Sequence, residues 1–339
     1  MNNNYIYVEL AAALLMLPMG ARGGNDTGFN TPGDIVIADQ FNNQVIEVDS
    51  KTHATLWHFG NGSFTPGPQS VVGPNDAERV GSLTLISGTG IPPNTPPCPN
   101  LVTGCPDNRV ILVDRQGQIV WQYGMAGVAG SGHNQLNTPV CSVLLPNFNV
   151  LITDQGNARI IEVNFAKQIV WTYDVGLNNP NSAELLANGD ILIADENNNR
   201  VIEVNRNKQI VQTLTAGGSL SGVAFASRLP NGDTLITDSN HSRIVEVDSK
   251  DNVVSQYFTN TDPNSNPSPL PTRAVRLQNG NTLISDQFND RVIEINPSMQ
   301  VVFTQGMENV PGKGNNLLNA PYDAKVVGDY TGLTPPPDE

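Results

Sequence analysis

Hydrophobic and polar residues alternate in short runs along most of the chain. The apolar runs are rich in Val and Ile, and they are separated by turns rich in Asn, Asp, Gly and Pro. Such runs between turn residues are typical of short β-strands. No stretch has the apolar spacing of a long amphipathic helix. The sequence therefore predicts an all-β protein.

One unit recurs along the chain, in which a strand, an Asx-rich loop and a second strand follow one another. Its clearest copies read GDIVIADQFNNQVIEVD (33–49), NVLITDQGNARIIEVN (149–164), GDILIADENNNRVIEVN (189–205), GDTLITDSNHSRIVEVD (232–248) and GNTLISDQFNDRVIEIN (280–296). A sixth copy begins at Ser82 and resumes at Asn108 after a Pro-rich insertion. One strand precedes each pair and another follows it. Four-stranded units repeated every 40 to 65 residues or so predict a six-bladed β-propeller.

The two ends of the chain predict how the ring closes. The first unit lacks its opening strand, whereas an unmatched strand lies within 319–333. We expect Tyr322–Val327 to pair with Ile35–Ala38, because closing the ring leaves no exposed edge. The predicted organisation is an apolar N-terminal segment at 1–28, a propeller at 29–333 and a Pro-rich tail at 334–339.

The loop motif D-x-x-N-x-R recurs in several units, for example as Asp154, Asn157 and Arg159. An Asp at the end of a strand and an Asn shortly after it satisfy the backbone donors of a tight loop. Oxygen-rich loops also suit calcium. We interpret the motif as architectural and assign no catalytic, cofactor or metal residue. The alternative is a calcium ion in the central channel.

Two further repeated positions predict contacts between blades. A Glu lies in the second strand of most units, and we expect it to pair with a polar group of the neighbouring blade. These residues are Glu47, Glu162, Glu203, Glu246 and Glu294. Aromatic residues recur in the fourth strands and are expected to pack between blades. They are Trp57, Trp121, Trp171 and Tyr173.

Over nearly all of residues 30–333, this repeat resembles the NHL-repeat and arylsulfotransferase-like six-bladed propellers. The resemblance implies the fold. Resemblance to the arylsulfotransferase-like enzymes also implies a histidine that lines the central channel. No histidine occurs in the matching strands of this chain, which read CSVLL, NSAELL, AFASRL, TRAVRL and PYDAKV. That departure argues against sulfotransfer. Lactonase-like and lyase-like relatives hold a metal in the channel.

Charge and cysteine content restrict the partners and the compartment. The chain has 18 Lys and Arg against 32 Asp and Glu, a net charge of −14, which repels nucleic acid and anionic membrane surfaces. Cys98 and Cys105 bracket a short loop that a disulfide would staple in an oxidising compartment. Cys141 lies in an apolar strand and is expected to be a buried free thiol.

The N-terminal segment is the least propeller-like part of the sequence. Its apolar run from Tyr5 to Met19 is interrupted by Glu9, and it is shorter than the roughly 20 residues that span a bilayer. It is interpreted as a tether, an assembly arm or an uncleaved signal. The candidate interface residues are Tyr5, Tyr7, Leu14, Leu15 and Met16. Head-to-tail contacts through this arm would generate filaments.

These observations favour a secreted or cell-surface, non-enzymatic scaffold that binds other copies of itself or another extracellular protein. In that hypothesis a membrane is contacted only through the N-terminal segment. The alternative hypothesis is a propeller enzyme, a hydrolase, lyase or sulfotransferase-like protein, that uses the central channel with a bound metal. A metal assay on the purified protein separates the two.

Overall fold

The computed structural model describes residues 28–314 and 316–337, and these form 24 strands in six four-stranded antiparallel sheets. Each sheet is one blade of a propeller, so the predicted six-bladed all-β fold is confirmed. The candidate interface residues Tyr5, Tyr7, Leu14, Leu15 and Met16 lie outside the described residues. Among the described residues, no helix is long and apolar enough to cross a membrane.

Each blade contains four strands, which follow one another from the channel outwards. Blade 1 contains β24 (Pro321–Val326), β1 (Ile35–Asp39), β2 (Gln44–Val48) and β3 (Thr55–Phe59). Blade 2 contains β4 (Pro74–Val80), β5 (Leu83–Ile91), β6 (Cys105–Val113) and β7 (Ile119–Gly124). Blade 3 contains β8 (Pro139–Leu144), β9 (Val150–Asp154), β10 (Arg159–Val163) and β11 (Ile169–Tyr173).

The second half of the ring repeats this arrangement. Blade 4 contains β12 (Pro180–Leu185), β13 (Ile191–Asp195), β14 (Arg200–Val204) and β15 (Ile210–Leu214). Blade 5 contains β16 (Val223–Arg228), β17 (Thr234–Asp238), β18 (Arg243–Val247) and β19 (Val253–Phe258). Blade 6 contains β20 (Arg273–Arg276), β21 (Thr282–Asp286), β22 (Arg291–Ile295) and β23 (Val301–Gly306). One-turn 3-10 helices join the two middle strands at Gln40–Asn42, Gln155–Asn157, Glu196–Asn198, Ser239–His241 and Gln287–Asn289.

The first and last strands close the ring as the sequence predicts. In blade 1, β24 pairs with β1 in antiparallel register, with Ile35 opposite Val326 and Ile37 opposite Ala324. The pairing continues beyond the strands, because the backbone N–H of Val327 donates to the carbonyl oxygen of Asp34 at 2.8 Å. Blade 1 is therefore built from both ends of the propeller.

The hydrophobic core lies between blades rather than within one sheet. The second strands of the blades are buried at every position, because each blade is packed on both faces. One apolar cluster joins Leu85 and Val110 of blade 2 to Ile152 and Ile161 of blade 3. A blade cannot bury both of its faces alone, so the ring is a single cooperative body.

The repeated loop motif is architectural, as interpreted from the sequence. Asp154 Oδ2 accepts hydrogen bonds from Asn157 Nδ2 and Arg159 Nε, both at 2.7 Å. Its Oδ1 accepts from the backbone N–H of Asn137, in the segment that leads into β8, at 2.7 Å. Ala158 closes the loop with φ of 49°. The motif therefore fastens a tight loop to the entry of its own blade.

The aromatic residues of the outer strands pack between blades, which confirms that prediction. Trp57 Nε1 donates to the carbonyl oxygen of Arg115 in blade 2 at 2.9 Å. In the same way, Trp121 donates to the carbonyl oxygen of Phe165 in blade 3 and Trp171 to that of Arg206 in blade 4, each at 3.1 Å. Each indole therefore joins an outer strand to the outer turn of the following blade.

The repeated Glu residues pair with the next blade at four of the five positions. Glu47 binds Arg79, and the other pairs are Glu162 with Arg206, Glu203 with Arg228, and Glu246 with Arg276. Glu294 instead accepts from Asn281 of its own blade at 2.5 Å. The prediction was wrong there because the next blade has no Arg at either place that the other pairs use: β24 has Val326 where blades 2, 5 and 6 have an Arg, and the outer turn of blade 1 has Ser50 where blade 4 has Arg206.

Candidate functional site

The innermost strands bring four charged side chains together in the central channel. Arg273 Nη2 of blade 6 lies 2.6 Å from Asp76 Oδ1 of blade 2, and its Nε lies 2.8 Å from Asp323 Oδ1 of blade 1. Lys325 Nζ lies 2.6 Å from Asp76 Oδ1 and 2.9 Å from Asp323 Oδ2. All four side chains are at most 8% exposed. We call Asp76, Arg273, Asp323 and Lys325 the channel cluster.

The channel cluster is electrically balanced and holds the inner strands together. Burial disfavours each charge, but the two adjacent cations outweigh burial at Asp323 and lower the pKa of its carboxyl group. Each carboxylate also accepts a hydrogen bond from a backbone N–H of the following blade. Asp323 accepts from Ala77 at 3.0 Å, and Asp76 accepts from Ser142 at 2.9 Å. Two carboxylates and two cations form a charge-balanced buried network, in which Arg273 Nε and Nη1 and Asp323 Oδ1 have no hydrogen-bond partner among the described residues.

Two further carboxyl groups lie beside the channel cluster. Burial raises the pKa of Glu184 and raises that of Glu78 well above the ordinary value. Glu184 Oε2 accepts hydrogen bonds from the backbone N–H and the hydroxyl of Thr334, at 2.9 and 2.6 Å. Glu78 Oε2 is buried without a hydrogen-bond partner among the described residues. Burial therefore shifts both pKa values upward, and at Glu184 the two Thr334 hydrogen bonds oppose that shift.

The segment that follows β24, residues 327–337, covers one end of the channel. Tyr330 donates to the carbonyl oxygen of Arg79 in blade 2 at 3.1 Å. Leu333 packs against Phe225 and Val275 of blades 5 and 6. Thr334 reaches Glu184 of blade 4. We call this segment the C-terminal plug, and its contacts with four different blades close that end of the channel.

The opposite end of the channel carries a ring of amide and carboxyl side chains, which we call the mouth. Gln287 Nε2 of blade 6 donates to Gln40 Oε1 of blade 1 at 2.8 Å, and Gln40 Nε2 donates to Asn75 Oδ1 of blade 2 at 2.7 Å. Each Gln is the first residue of a 3-10 helix, directly after the motif Asp. The loop motif thereby places this side chain at the channel entrance.

The other half of the mouth contains the same helix position in blades 3 and 4. Gln155 Nε2 donates to Glu196 Oε2 at 3.3 Å, and Asn181 Nδ2 donates to the same oxygen at 2.9 Å. The hydroxyl group of Tyr322, in blade 1, lies 2.9 Å from Asn181 Nδ2 across the channel. Burial raises the pKa of Glu196 although Asn181 and Asn179 oppose the shift.

A cavity of about 530 Å³ opens at the mouth between this ring and the insertion of blade 2. Asn75 and Asn108, 4% and 3% exposed, contribute to its wall together with Asn137. The side-chain oxygen of Asn75 accepts a hydrogen bond from Gln40. That of Asn108 accepts from the Thr138 backbone N–H, and that of Asn137 accepts from the Thr138 hydroxyl. Their amide nitrogens have no such partner among the described residues and remain available to a ligand.

The chemistry of this cavity suits binding of a neutral ligand. Its lining contains no Asp, Glu, Lys or Arg, and Ile91, Pro92, Pro93 and Pro106 form a rigid apolar wall. The volume lies within the roughly 300–1,000 Å³ of small-ligand sites. Amide donors beside an apolar wall recognise carbonyl or hydroxyl acceptors and offer no acid–base pair.

The insertion of blade 2 builds the outer wall of this cavity. Strands β5 and β6 are longer than their counterparts and remain paired beyond the blade, with Ile91 opposite Cys105. Cys98 and Cys105 form a disulfide that joins the two sides of the loop. Leu101 and Val102 at its tip are 46% and 86% exposed. The free thiol of Cys141 is buried in β8.

Sequence reasoning located the disulfide but missed the mouth and the channel cluster. Gln follows the motif Asp in three copies, as Gln40, Gln155 and Gln287, and this recurrence was the available signal for the mouth. The similarity of PNDAER in β4 to PYDAKV in β24 was the available signal for the cluster. Within 28–314 and 316–337, no group of three or more His, Cys, Asp or Glu side chains is arranged to hold a metal ion. The calcium alternative stays a prediction.

Solved structures resemble this chain in fold. A protein of unknown function from Bacteroides caccae has a TM-score of 0.61 at 16% identity, covering 85% of this chain and 98% of its own. A streptogramin B lyase has a TM-score of 0.55 at 11% identity, covering 83% and 80%. A catalytically inactive virginiamycin B lyase from Staphylococcus aureus with quinupristin has a TM-score of 0.53 at 9% identity, covering 81% and 85%.

Similarity in sequence is more restricted. No curated protein matches the chain significantly. One family profile, PQQ_2, described as outer membrane protein assembly factor BamB, matches residues 29–213, which is more than half of the chain. The resemblance to a β-propeller family is thus confirmed, while the NHL-repeat and arylsulfotransferase-like assignment stays a prediction. The chain belongs to the PQQ_2 family of β-propellers, the family of outer membrane protein assembly factor BamB.

Proposed function

We propose that this protein is a non-enzymatic scaffold, secreted or held at the cell surface, that binds its partners at the channel mouth. One observation carries the proposal: the channel interior is filled by a neutralised ion network and covered at one end by the C-terminal plug. General acid–base catalysis needs a tuned group within reach of the substrate. Glu78 and Glu184 are buried at the plugged end, so the accessible surface offers recognition rather than chemistry.

Two features support an extracytoplasmic location. The loop beside the mouth contains a disulfide between Cys98 and Cys105, and disulfides persist in oxidising compartments. The family is described by an assembly factor of the outer membrane. A scaffold at the envelope is consistent with both.

Ligand binding at the mouth is tested by site-specific photo-crosslinking. A photoreactive amino acid in place of Thr103, at the mouth, is compared with one in place of Asn207, which is exposed on an outer turn of blade 4. Irradiation with host envelope extract should give discrete adducts from the first position only. Adding Asn75→Asp, which places a carboxylate in the uncharged cavity, should remove them. Identical adducts from both positions would contradict binding at the mouth.

The scaffold is further proposed to self-assemble through its apolar N-terminal segment. An apolar run in the sequence, such as residues 5–19, promotes association between copies wherever it is exposed. The double variant Leu14→Asp/Leu15→Asp should lower the apparent mass in light scattering and remove filaments from negative-stain images. The control Asn2→Asp/Asn3→Asp adds the same charge outside the apolar run and should leave assembly unchanged. Equal assembly of all three proteins would reject this part of the proposal.

A metal assay addresses the enzyme alternative. Purified full-length protein is dialysed against metal-free buffer and analysed by plasma emission. The scaffold proposal expects calcium and zinc well below one equivalent per chain. One tightly held equivalent that is lost in channel-cluster variants such as Asp76→Asn would instead favour a channel enzyme.

A further inference from the structure

A second surface with recognisable chemistry lies at the perimeter, between blades 5 and 6. In blades 1 to 3, the outer strand has a Trp at one fixed position in its pairing with the third strand. The pairs are Trp57 with Glu47, Trp121 with Leu112 and Trp171 with Glu162. In blade 5 this position, opposite Glu246, is Ser255. The blade 5 to 6 interface therefore lacks the large side chain found at the corresponding interfaces.

The other interfaces of the ring are filled at this position. Blades 1 to 3 use the indole ring. In blade 4, Gln212 Nε2 donates to the carbonyl oxygen of Ser249 in blade 5 at 3.2 Å. In blade 6, the Phe303 ring stacks on His53 of blade 1, with centroids 5.2 Å apart. Ser255 is too short to reach the next blade in this way.

An open cavity of about 230 Å³ occupies the interface at Ser255. We call it the perimeter groove, and Val254, Tyr257, Arg276, Ile295, Pro297 and Met299 contribute to its wall. The volume is below the roughly 300 Å³ at which sites for drug-sized ligands begin. The groove therefore accommodates one large side chain rather than a folded segment.

The groups that bind an indole elsewhere in the ring are already present in this groove. At the blade 1 to 2 interface, Arg79 pairs with Glu47 and stands 4.5 Å from the Trp57 ring centroid. At the blade 5 to 6 interface, Arg276 pairs with Glu246 at 2.7 Å. The charged pair is thus in the equivalent place, and it can contribute a cation–π contact to a ring that enters the groove.

The hydrogen-bond acceptor is also present. Trp57 donates to the carbonyl oxygen of Arg115, the second residue of the outer turn of blade 2. The second residue of the corresponding turn in blade 6 is Pro297, because Asn296 makes the backbone contacts that Asp114 makes in blade 2. The Pro297 carbonyl oxygen accepts no hydrogen bond from the described residues and is free for an indole N–H.

The rim of the groove favours a polypeptide over a free small molecule. Val254 and Met299 in its wall are 55% and 41% exposed, and Val253 and Val302 on the adjacent outer strands are 44% and 53% exposed. Exposed apolar residues in and near the wall of a pocket are typical of protein-binding surfaces, in which a central aromatic anchor is surrounded by apolar contacts.

We propose that the perimeter groove binds the tryptophan side chain of a partner polypeptide, taking the place that the chain's own indole rings occupy at the first three interfaces. The ring would pack beside Ile295, stack near the Arg276 guanidinium group and donate its N–H to Pro297. This surface is separate from the channel mouth, so its failure would leave the proposed mouth site untouched.

The test uses the full chain and three probes: N-acetyl-tryptophanamide, N-acetyl-leucinamide, and the tripeptide acetyl-Val-Trp-Val-amide. Binding is followed by chemical-shift perturbation and calorimetry. The tryptophan amide should bind and the leucine amide should not. The tripeptide should bind at least tenfold more tightly than the tryptophan amide, because its valines contact the apolar rim. Equal affinity of the two would overturn the assignment to a polypeptide partner.

Variants locate the site. Ser255→Trp places the chain's own indole in the groove and should weaken probe binding at least tenfold while raising the melting temperature. Asn207→Trp adds an exposed indole elsewhere and should change neither. Ser255→Gln copies the filled interface of blade 4 and serves as a second blocking variant if the first does not fold. Unchanged binding in a folded blocking variant would overturn the proposal.

A gain-of-site variant gives an independent check. Trp171→Ser empties the blade 3 to 4 interface, where the indole N–H donates to the backbone carbonyl oxygen of Arg206. The groove interpretation expects this variant to bind a second equivalent of N-acetyl-tryptophanamide. A folded Trp171→Ser protein that still binds a single equivalent would contradict the claim that an emptied interface of this ring is an indole site.

Discussion

At the scale of single residues, burial decides the charge state of several carboxyl groups. Glu78 is buried and its Oε2 lacks a partner among the described residues, so desolvation raises its pKa even though Lys325 opposes the shift. Glu162 behaves in the opposite way. Partial burial is outweighed there by hydrogen bonds from Asn149, Asn147 and Arg206, and its pKa is lowered. The two residues thus contribute opposite pH dependences to the stability of one fold.

Replacing Glu78 with Gln should stabilise the protein at neutral pH. With a raised pKa, folded Glu78 keeps its proton above the ordinary Glu value of about 4.3, where the unfolded chain has lost it. Folding then binds protons, so this residue's contribution to stability falls as the pH rises from that value through the folded pKa. The neutral variant should match the parent at pH 4 and exceed it increasingly toward pH 8, by about 1–3 kcal/mol. Urea unfolding at each pH measures the difference.

Glu162→Gln is the matched comparison, and its sign is reversed. A lowered folded pKa contributes stability above the ordinary Glu value, and that contribution is lost as the pH falls through the folded pKa. The variant should be less stable than the parent at pH 7 and converge with it in acid. Parallel pH profiles for the two Gln variants would show that burial and hydrogen bonding have been assigned wrongly.

At the scale of elements, the outer strands and outer turns act as fasteners between blades. The indole of Trp121 is 7% exposed, packs 5.3 Å from the Phe165 ring between centroids and donates to the Phe165 carbonyl. Trp171 makes the same hydrogen bond but is only partly buried. The same fastener therefore differs in strength from one interface to another.

We predict that Trp121→Ala lowers the free energy of unfolding by about 3–5 kcal/mol, the usual cost of truncating a buried Trp. Trp171→Ala should cost clearly less, because more of its ring already contacts solvent. Urea unfolding followed by circular dichroism compares the two variants. Equal losses would mean that the hydrogen bond, which both residues share, outweighs the burial in which they differ.

The elements were predictable from the sequence to the extent that they repeat. Alternating strands and the Asp–Asn–Arg loop occur in several copies, so their pattern stands out even in one sequence. The Gln after the motif Asp recurs as Gln40, Gln155 and Gln287, but blade 4 has Glu196 and blade 5 has Ser239 there, and the repeat alone does not show that this side chain faces the channel. The C-terminal plug depends on Thr334, which follows a short stretch with no strand pattern. Sites that break the repeat leave no periodic signal, and only the folded geometry brings them together.

At the scale of the whole molecule, the last residues of the chain close both the ring and the channel. Strand β24 supplies the innermost strand of blade 1 and two members of the channel cluster, Asp323 and Lys325. The C-terminal plug then contacts four blades. Closing the ring and closing the channel are therefore separable functions of consecutive segments.

Truncation after Asn319 should abolish cooperative folding, because it removes β24 and leaves Asp76 without Lys325 and Arg273 without Asp323. Removing partners from a buried ion network costs about 3–5 kcal/mol, in addition to the lost strand pairing. A broad urea transition and loss of near-ultraviolet circular dichroism are expected. A sharp two-state transition would show that the ring does not need this strand.

Truncation after Gly328 is the discriminating counterpart, because it keeps β24 and removes most of the C-terminal plug. The ring should stay folded with a lower melting temperature, since Glu184 loses both Thr334 donors. The readout is Cys141, the chain's free thiol, which is 1% exposed on inner strand β8 and whose pKa is raised by burial. Its reaction with Ellman's reagent under native conditions should accelerate at least tenfold once that end of the channel is uncovered. Cys141→Ser in the same truncation supplies the blank, and a labelling rate equal to that of the full chain would mean that the plug does not control access to Cys141.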